Sequence, residues 1–213
     1  MDELSNLELL TTTRAVRRRL DLTRPVERAT VTECLQVAFQ APNASNQQRW
    51  AWVVVDDGPT RAAMADVYRA GMAEREAQIA ALAGTAGEYT VTTGDTMRAS
   101  VAHLRAHLHE VPVLVVPTVV GRLEGTDVAT QASAWGSVLP AVWSFMLALR
   151  TRGLGSVWTT VHLQREAEMA ELLGIPFASV TQVGLFPVAY TVGTVFRPGS
   201  RQASGDVIRW NRW

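Results

Sequence analysis

The chain of 213 residues contains no lysine: all 20 of its basic residues are arginine, and 20 acidic residues balance them. Zero net charge excludes the broad positive field that draws nucleic acid or an anionic membrane surface. Any anion site must therefore use guanidinium groups, planar forks suited to phosphate oxygens. A single cysteine, Cys34, excludes an internal disulfide. The polar, acidic start from Met1 to Glu8 carries no signal-peptide pattern, so a cytoplasmic location is expected. Gly153-Leu-Gly155-Ser-Val-Trp158 lacks the third glycine of a dinucleotide fingerprint, and it follows a helix instead of a strand. Nor is Gly155-Ser156 a nucleophile elbow, which needs G-x-S-x-G.

The most pronounced feature present is the run from Thr130 to Thr160. Ala132 to Leu149 holds no charge, and a helix apolar all round must be covered on all sides. The run is short for a membrane span and is interrupted by Ser133, Ser137, Pro140 and Ser144. A helix in a core or a subunit interface is expected, with no membrane association. Pro140 suits a first turn capped by Ser137, or else kinks a longer helix. Arg150 and Arg152 suit the negative end of its dipole, and Gly153 a left-handed stop. A strand over 155–160 should follow.

Elsewhere, Ser5-x-x-Glu8 and Thr30-x-x-Glu33 read as capping boxes. Val31, Cys34, Leu35, Ala38 and Phe39 give an amphipathic helix that places Cys34 in the core. Strands are expected at 50–55, 111–120 and 180–185, and helices at 61–82, 97–109 and 165–173. Residues 84–95 and 187–204 read as loops, and 207–213 as an extended tail. These elements make one α+β domain over residues 1–213.

Four arginines fall within Arg14-Ala-Val-Arg17-Arg18-Arg19. They make either a solvated basic face or a phosphate clamp. Ala41-Pro-Asn-Ala-Ser-Asn46-Gln-Gln-Arg-Trp50 is an amide-rich loop between a helix and a strand. Its amides suit a heterocycle edge or simply a capped turn. His103, His107 and His109 with Glu110 could place two ligands on one helix face. No cysteine or second carboxylate cluster supports them, and no metal is expected. His162 reads as a surface histidine.

Taken in order, these pieces resemble the FMN-dependent nitroreductase family. The matching elements are Arg14-Ala15-Val16-Arg17, the loop from Ala41 to Trp50, the long central helix, Gly153 to Trp158, and Gly184-x-x-Pro187 with a C-terminal arginine. The resemblance implies a nitroreductase-like α+β fold: a mixed sheet flanked by helices, with the long central helix in a homodimer interface. It implies two FMN molecules between the subunits. Arg14 and Arg17 would hold FMN, with Arg18 competing for the place of Arg17, and Ala15 would give backbone contacts. Pro42, Asn43, Ala44 and Asn46 would reach the flavin from the neighbouring chain. Thr159 and Thr160 would lie beside the ring through their backbone. Arg201 would hold phosphate, with Arg197 as the alternative. Residues 61–110 match the variable part of the family, and 69–98 would form a lid.

The implied activity is ping-pong hydride transfer from NAD(P)H through FMN to a nitroaromatic, a quinone or another electron-poor small molecule. FMN carries the chemistry, so no side chain is assigned a catalytic role. The alternatives are a flavin-binding or sequestering protein, or another reductive reaction on the scaffold: dehalogenation, enone reduction or flavin breakdown. Ala15 and Asn43 stand where the family pattern has serine, and Arg49 where it has proline.

Overall fold

Ser5 opens the first helix through its capping box. Glu8 N–H donates to Ser5 Oγ at 3.2 Å, and Ser5 N–H donates to Glu8 Oε2 at 3.0 Å. The computed structural model describes residues 4–82 and 94–213, and this helix, α1, covers Asn6–Thr12. The second capping box is not used. Helix α2 runs Arg28–Ala38 with Glu27 as N-cap, so Thr30 already lies inside it. The earlier start is anchored by Arg28, whose guanidinium grips Asp56 at 2.5 and 2.7 Å. Cys34 is buried on the inner face, as its spacing predicts, and burial pushes its thiol up to about 11.

The other elements are β1 (Trp50–Val55), α3 (Gly58–Leu82), α4 (Asp95–His107), β2 (Val113–Val120), α5 (Val128–Thr151), β3 (Leu154–Ser156), α6 (Glu166–Leu173), β4 (Val180–Gln182), β5 (Phe186–Tyr190) and α7 (Ser204–Val207). The loop expected at 84–95 lies outside the described residues, apart from Gly94 and Asp95, which cap and open α4.

The sheet has the order β1-β2-β5-β3, and β4 pairs β2 beyond the end of β5. Every pairing of these strands is antiparallel; a parallel contact occurs as the isolated Gly121–Val180 bridge. Alternate residues of β2 point to opposite faces, as the two-residue period of a strand requires. Leu114 and Val116 pack with Tyr68, Leu104 and Met169 from α3, α4 and α6, whereas Val113 and Val115 pack with Leu35, Phe145 and Leu149 from α2 and α5. Both faces are covered, which is why β2 reads as a continuous apolar run.

The stretch expected as a loop from Pro187 contains β5. Pro187 pairs with Leu114 of β2, and β3 reaches only Val188 to Tyr190. On the β3 side the proline therefore has no ladder to interrupt. In the same way 207–213 does not begin as an extended tail, since Val207 closes α7.

Helix α5 is longer than a Ser137 cap would allow. Asp127 is the N-cap and accepts from Thr130 N–H at 3.0 Å, so Pro140 lies within the helix. Ser137 turns inward instead, donating to Ser133 O and accepting from Ala44 N–H. By length and composition α5 could cross a membrane. One face of its C-terminal half is buried in the core, at Val138, Ala141, Val142, Phe145, Met146, Ala148, Leu149 and Arg150. Within one chain it is not covered all round: Val128, Ala129, Thr130, Ala132, Ser133, Gly136 and Trp143 remain exposed. Gly153, at φ +73°, is the expected left-handed stop, and the strand that follows is three residues long.

Candidate functional site

The arginine cluster is held by the chain's late residues. Val16 N–H donates to Ser156 O at 2.8 Å, Asp21 N–H to Tyr190 O at 2.7 Å, and Val192 N–H to Arg19 O at 2.8 Å. Segment 14–21 thus lies along β3, β5 and the strand of chain after Tyr190. The approach is close enough to demand glycine at 155: a Cβ there would lie 2.6 Å from Thr191 Cγ2 and 3.0 Å from Val16 Cβ.

This seam forms a cavity of about 580 Å³ lined by Arg14, Ala15, Val16, Arg17, Arg18, Arg19, Ser100, Val195, Phe196 and Arg197. Among the described residues the lining has five arginines and no carboxylate. Arg19 is committed to the fold: it donates to Val192 O, Gly193 O and Val195 O and lies over the Phe196 ring. Arg14 donates to Arg197 O at 3.0 Å. Arg14 and Arg201 both lie against Gly199, where a Cβ would clash with Arg201 Nη1 and stand 3.1 Å from Arg14 Cζ. Two guanidiniums are thus brought together, and among the described residues neither has a carboxylate partner. An anion placed between them would relieve their mutual repulsion. Arg forks match the geometry of phosphate, so these residues fit a phosphate ester.

Arg17 is half-buried, and its Nη1 lies 3.6 Å from Met97 Sδ of α4. Burial holds its guanidinium below the usual arginine range, and the Tyr68 phenol opposes that. Burial in turn raises the Tyr68 phenol. The Tyr68 hydroxyl lies 3.3 Å from Thr159 Oγ1. A second group of site residues is thereby joined to the first. Thr159 N–H is already given to Leu185 O at 3.1 Å, so the ring-facing donor that Thr159 could offer is its side chain. Thr160 is exposed, and its N–H has no backbone partner among the described residues.

Pro42, Asn43, Ala44 and Asn46 are not brought to the arginines. Pro42, Ala44 and Asn46 are exposed and Asn43 is half-buried. Asn43 and Ala44 line a different cavity of about 490 Å³, between the 43–50 loop, the end of β2 and the first half of α5. Gln48 N–H donates to Asn43 Oδ1 at 2.9 Å and Ala44 N–H to Ser137 Oγ at 3.0 Å. Ser45, Asn46 and Gln48 hold φ values of 51°, 52° and 50°. Left-handed backbone at non-glycine residues costs about 1–3 kcal/mol each and collects at ligand clamps.

His162 is not on the surface. It is fully buried, and burial pulls its imidazole down to about 4. Gln182 opposes that shift through a contact too loose to satisfy either ring nitrogen. His107 Nδ1 lies 2.7 Å from Glu110 Oε1, and its ring is 4.5 Å from that of His103. Sequence reasoning missed Tyr68, Met97, Ser100 and Phe196. They reach the arginine cavity or its rim from α3, from α4 and from the chain after β5, and no local spacing signals that convergence.

A sequence model described as "Nitroreductase family" matches residues 10–190. No curated protein sequence matches the chain. Among solved structures, the FMN- and NADPH-dependent nitroreductase NfnB from Sphigopyxis sp. strain HMH is 21% identical, with TM-score 0.71 over 99% of this chain and 100% of that one. A BluB-like flavoprotein from Clostridium difficile 630 is 16% identical, with TM-score 0.73 over 98% and 100%. An oxidised iodotyrosine deiodinase bound to FMN and 3-iodo-L-tyrosine is 20% identical, with TM-score 0.70 over 97% and 99%. At these identities the likeness is one of fold.

Proposed function

Because the chain belongs to the nitroreductase family, we propose that it is an FMN-dependent oxidoreductase that uses NAD(P)H to reduce small electron-poor molecules such as nitroaromatics and quinones. The observation that carries the proposal is the cavity in which Arg14, Arg17, Arg18 and Arg197 converge with no carboxylate among the described lining residues, and with Arg201 beside it. A dianionic phosphate is the ligand such a set fits.

Arg14 and Arg201, with Arg18 or Arg197, hold the phosphate. Arg17 stands by the pyrimidine edge, where its charge favours an anionic reduced ring. Its half-burial and its contact with Met97 Sδ support that role. Thr160 N–H and the Thr159 hydroxyl face the same ring. When bound, FMN supplies the two-electron chemistry between nicotinamide and acceptor.

The 43–46 loop completes the site from a second copy of the chain. Two observations support that: the loop lies at a separate cavity from the arginines, and α5 leaves an uncharged face exposed beside it. A homodimer about this helix covers that face and delivers the loop to the partner's flavin. The segment around α3 and α4 forms the lid, since Met97 and Ser100 already touch the arginine cavity. We take residues 1–213 as one domain.

The test is a visible spectrum of the purified protein with FMN, followed by anaerobic addition of NADH and of NADPH. A bound flavin bleached by either donor supports the reading. A flavin that binds and stays oxidised with both makes the protein a flavin carrier. The relatives include a nitroreductase, a deiodinase and a BluB-like flavoprotein, so product analysis with nitroaromatic, quinone, enone and aryl-halide acceptors fixes the reaction.

A further inference from the structure

The second cavity, of about 490 Å³, is large enough for a drug-sized molecule. Its walls are apolar at Trp50, Val119, Leu123 and Val138 and carry amides at Gln47 and Gln48. Among the described residues two cations and no carboxylate line it. One cation, Arg122, is fully engaged: it pairs with Glu166 at 2.8 Å and with Glu124, and donates to Val180 O at 2.9 Å. The other, Arg49, has no hydrogen-bond or ion-pair partner for its side chain among the described residues. Its backbone is fixed, because Val120 N–H donates to Arg49 O at 3.0 Å. Other guanidiniums of this chain do find partners, as Arg28 does with Asp56 and Arg152 with Glu33. An unneutralised fork at the edge of an apolar, acid-free cavity is a recognition element for one organic anion.

We infer that this cavity binds a small organic acid, with its planar or apolar body against Trp50, Val119 and Val138 and its carboxylate on Arg49. One free guanidinium matches one carboxylate bidentately, whereas a dianionic phosphate suits the multiple arginines of the other cavity. Asn43 and Ala44 belong both to this cavity and to the loop assigned to the flavin, so the acid lies next to the reacting ring. Identifying the acid with the electron acceptor rests on the proposed flavoenzyme reading; its binding to Arg49 does not.

The experiment is calorimetric titration of the purified protein, with and without FMN, using 4-nitrobenzoate and its neutral isostere 4-nitrobenzamide. The wild-type protein should bind the acid about tenfold tighter, the strength of one partly exposed charge-assisted contact. Arg49→Gln should abolish the preference and leave the amide's affinity unchanged. Arg49→Lys should keep part of it, and added salt should erode it. Arg49 is exposed and its side chain unpaired, so both variants should fold with unchanged circular dichroism. Equal affinities in the wild type, an intact preference in Arg49→Gln, or binding of neither probe overturns the inference. Acid-selective binding with a flavin that no nicotinamide reduces would sink the flavoenzyme reading and leave the anion site standing. A reducible flavin without acid selectivity would do the reverse.

Discussion

At the scale of single residues, the account stands on guanidiniums that have no acid to neutralise them. Arg14 and Arg201 meet at Gly199 and lack carboxylate partners among the described residues. Replacing either by alanine should weaken FMN about ten- to hundredfold, the loss of one charge-assisted contact of roughly 1.5–3 kcal/mol. Fluorescence titration of FMN measures it, and far-ultraviolet circular dichroism should not change. The arginine run was legible because four cations in six residues exceed what a helix face needs. Which of them remain available was not. Arg19 is tied to Val192, Gly193 and Val195, partners more than 170 positions away.

His162 carries a second residue-scale prediction. Its folded pKa of about 4 lies below the unfolded value near 6.5, so the folded state refuses a proton that the unfolded state accepts. The chain should therefore be at full stability above pH 6.5 and lose it as pH falls from 6.5 toward 4. The full loss attributable to this group is about 3 kcal/mol. Melting temperatures at pH 8, 6 and 5 for the wild type and His162→Leu would show it: the acid-side slope should flatten in the variant. A histidine beside a predicted strand gave no local sign of burial. The helix α3 that encloses its turn lies about 90 positions earlier.

At the scale of elements, the helices and the central strand were readable from spacing, and their ends were less so. The charge-free run in α5 announced a helix that needs cover. Of the two places open to Pro140, the structure takes the longer helix, and its cap, Asp127, was not identified in the sequence. A proline in mid-helix is tolerated here where only one backbone hydrogen bond is lost. Strand β5 was missed for the same residue type, because Pro187 reads as a break until the short reach of β3 is known. The seam between segment 14–21 and β3 gives the element-scale prediction. Gly155→Ala places a methyl against Thr191 and Val16, which should cost about 1–3 kcal/mol of stability. It should also weaken FMN, because the arginine-bearing segment must move. A denaturant titration and a flavin titration on the same preparation check both effects. Unchanged FMN affinity with lowered stability would separate the seam from the site.

At the scale of the whole molecule, one chain presents an arginine cavity and a separate amide loop, and α5 leaves an uncharged face exposed. Ala132→Glu sets a charge on that exposed face. If the proposed homodimer forms about this helix, the substitution should shift the protein from dimer to monomer in light scattering and remove FMN binding with it. Retained FMN affinity in a monomer would confine the site to one chain. The family was legible from five short motifs in register, and the sequence model over residues 10–190 agrees. The acceptor was not legible, because the cavity proposed to receive it is assembled from the 43–50 loop, β2 and α5, which lie far apart in the sequence.

The central claim is that clustered guanidiniums hold the phosphate of a redox-active flavin. Its most direct measurement is the visible spectrum of the purified protein mixed with FMN, freed of unbound flavin, and then given NADH or NADPH without oxygen. The account predicts a retained flavin spectrum near one FMN per chain that bleaches with at least one donor. A colourless protein that retains no FMN would contradict it.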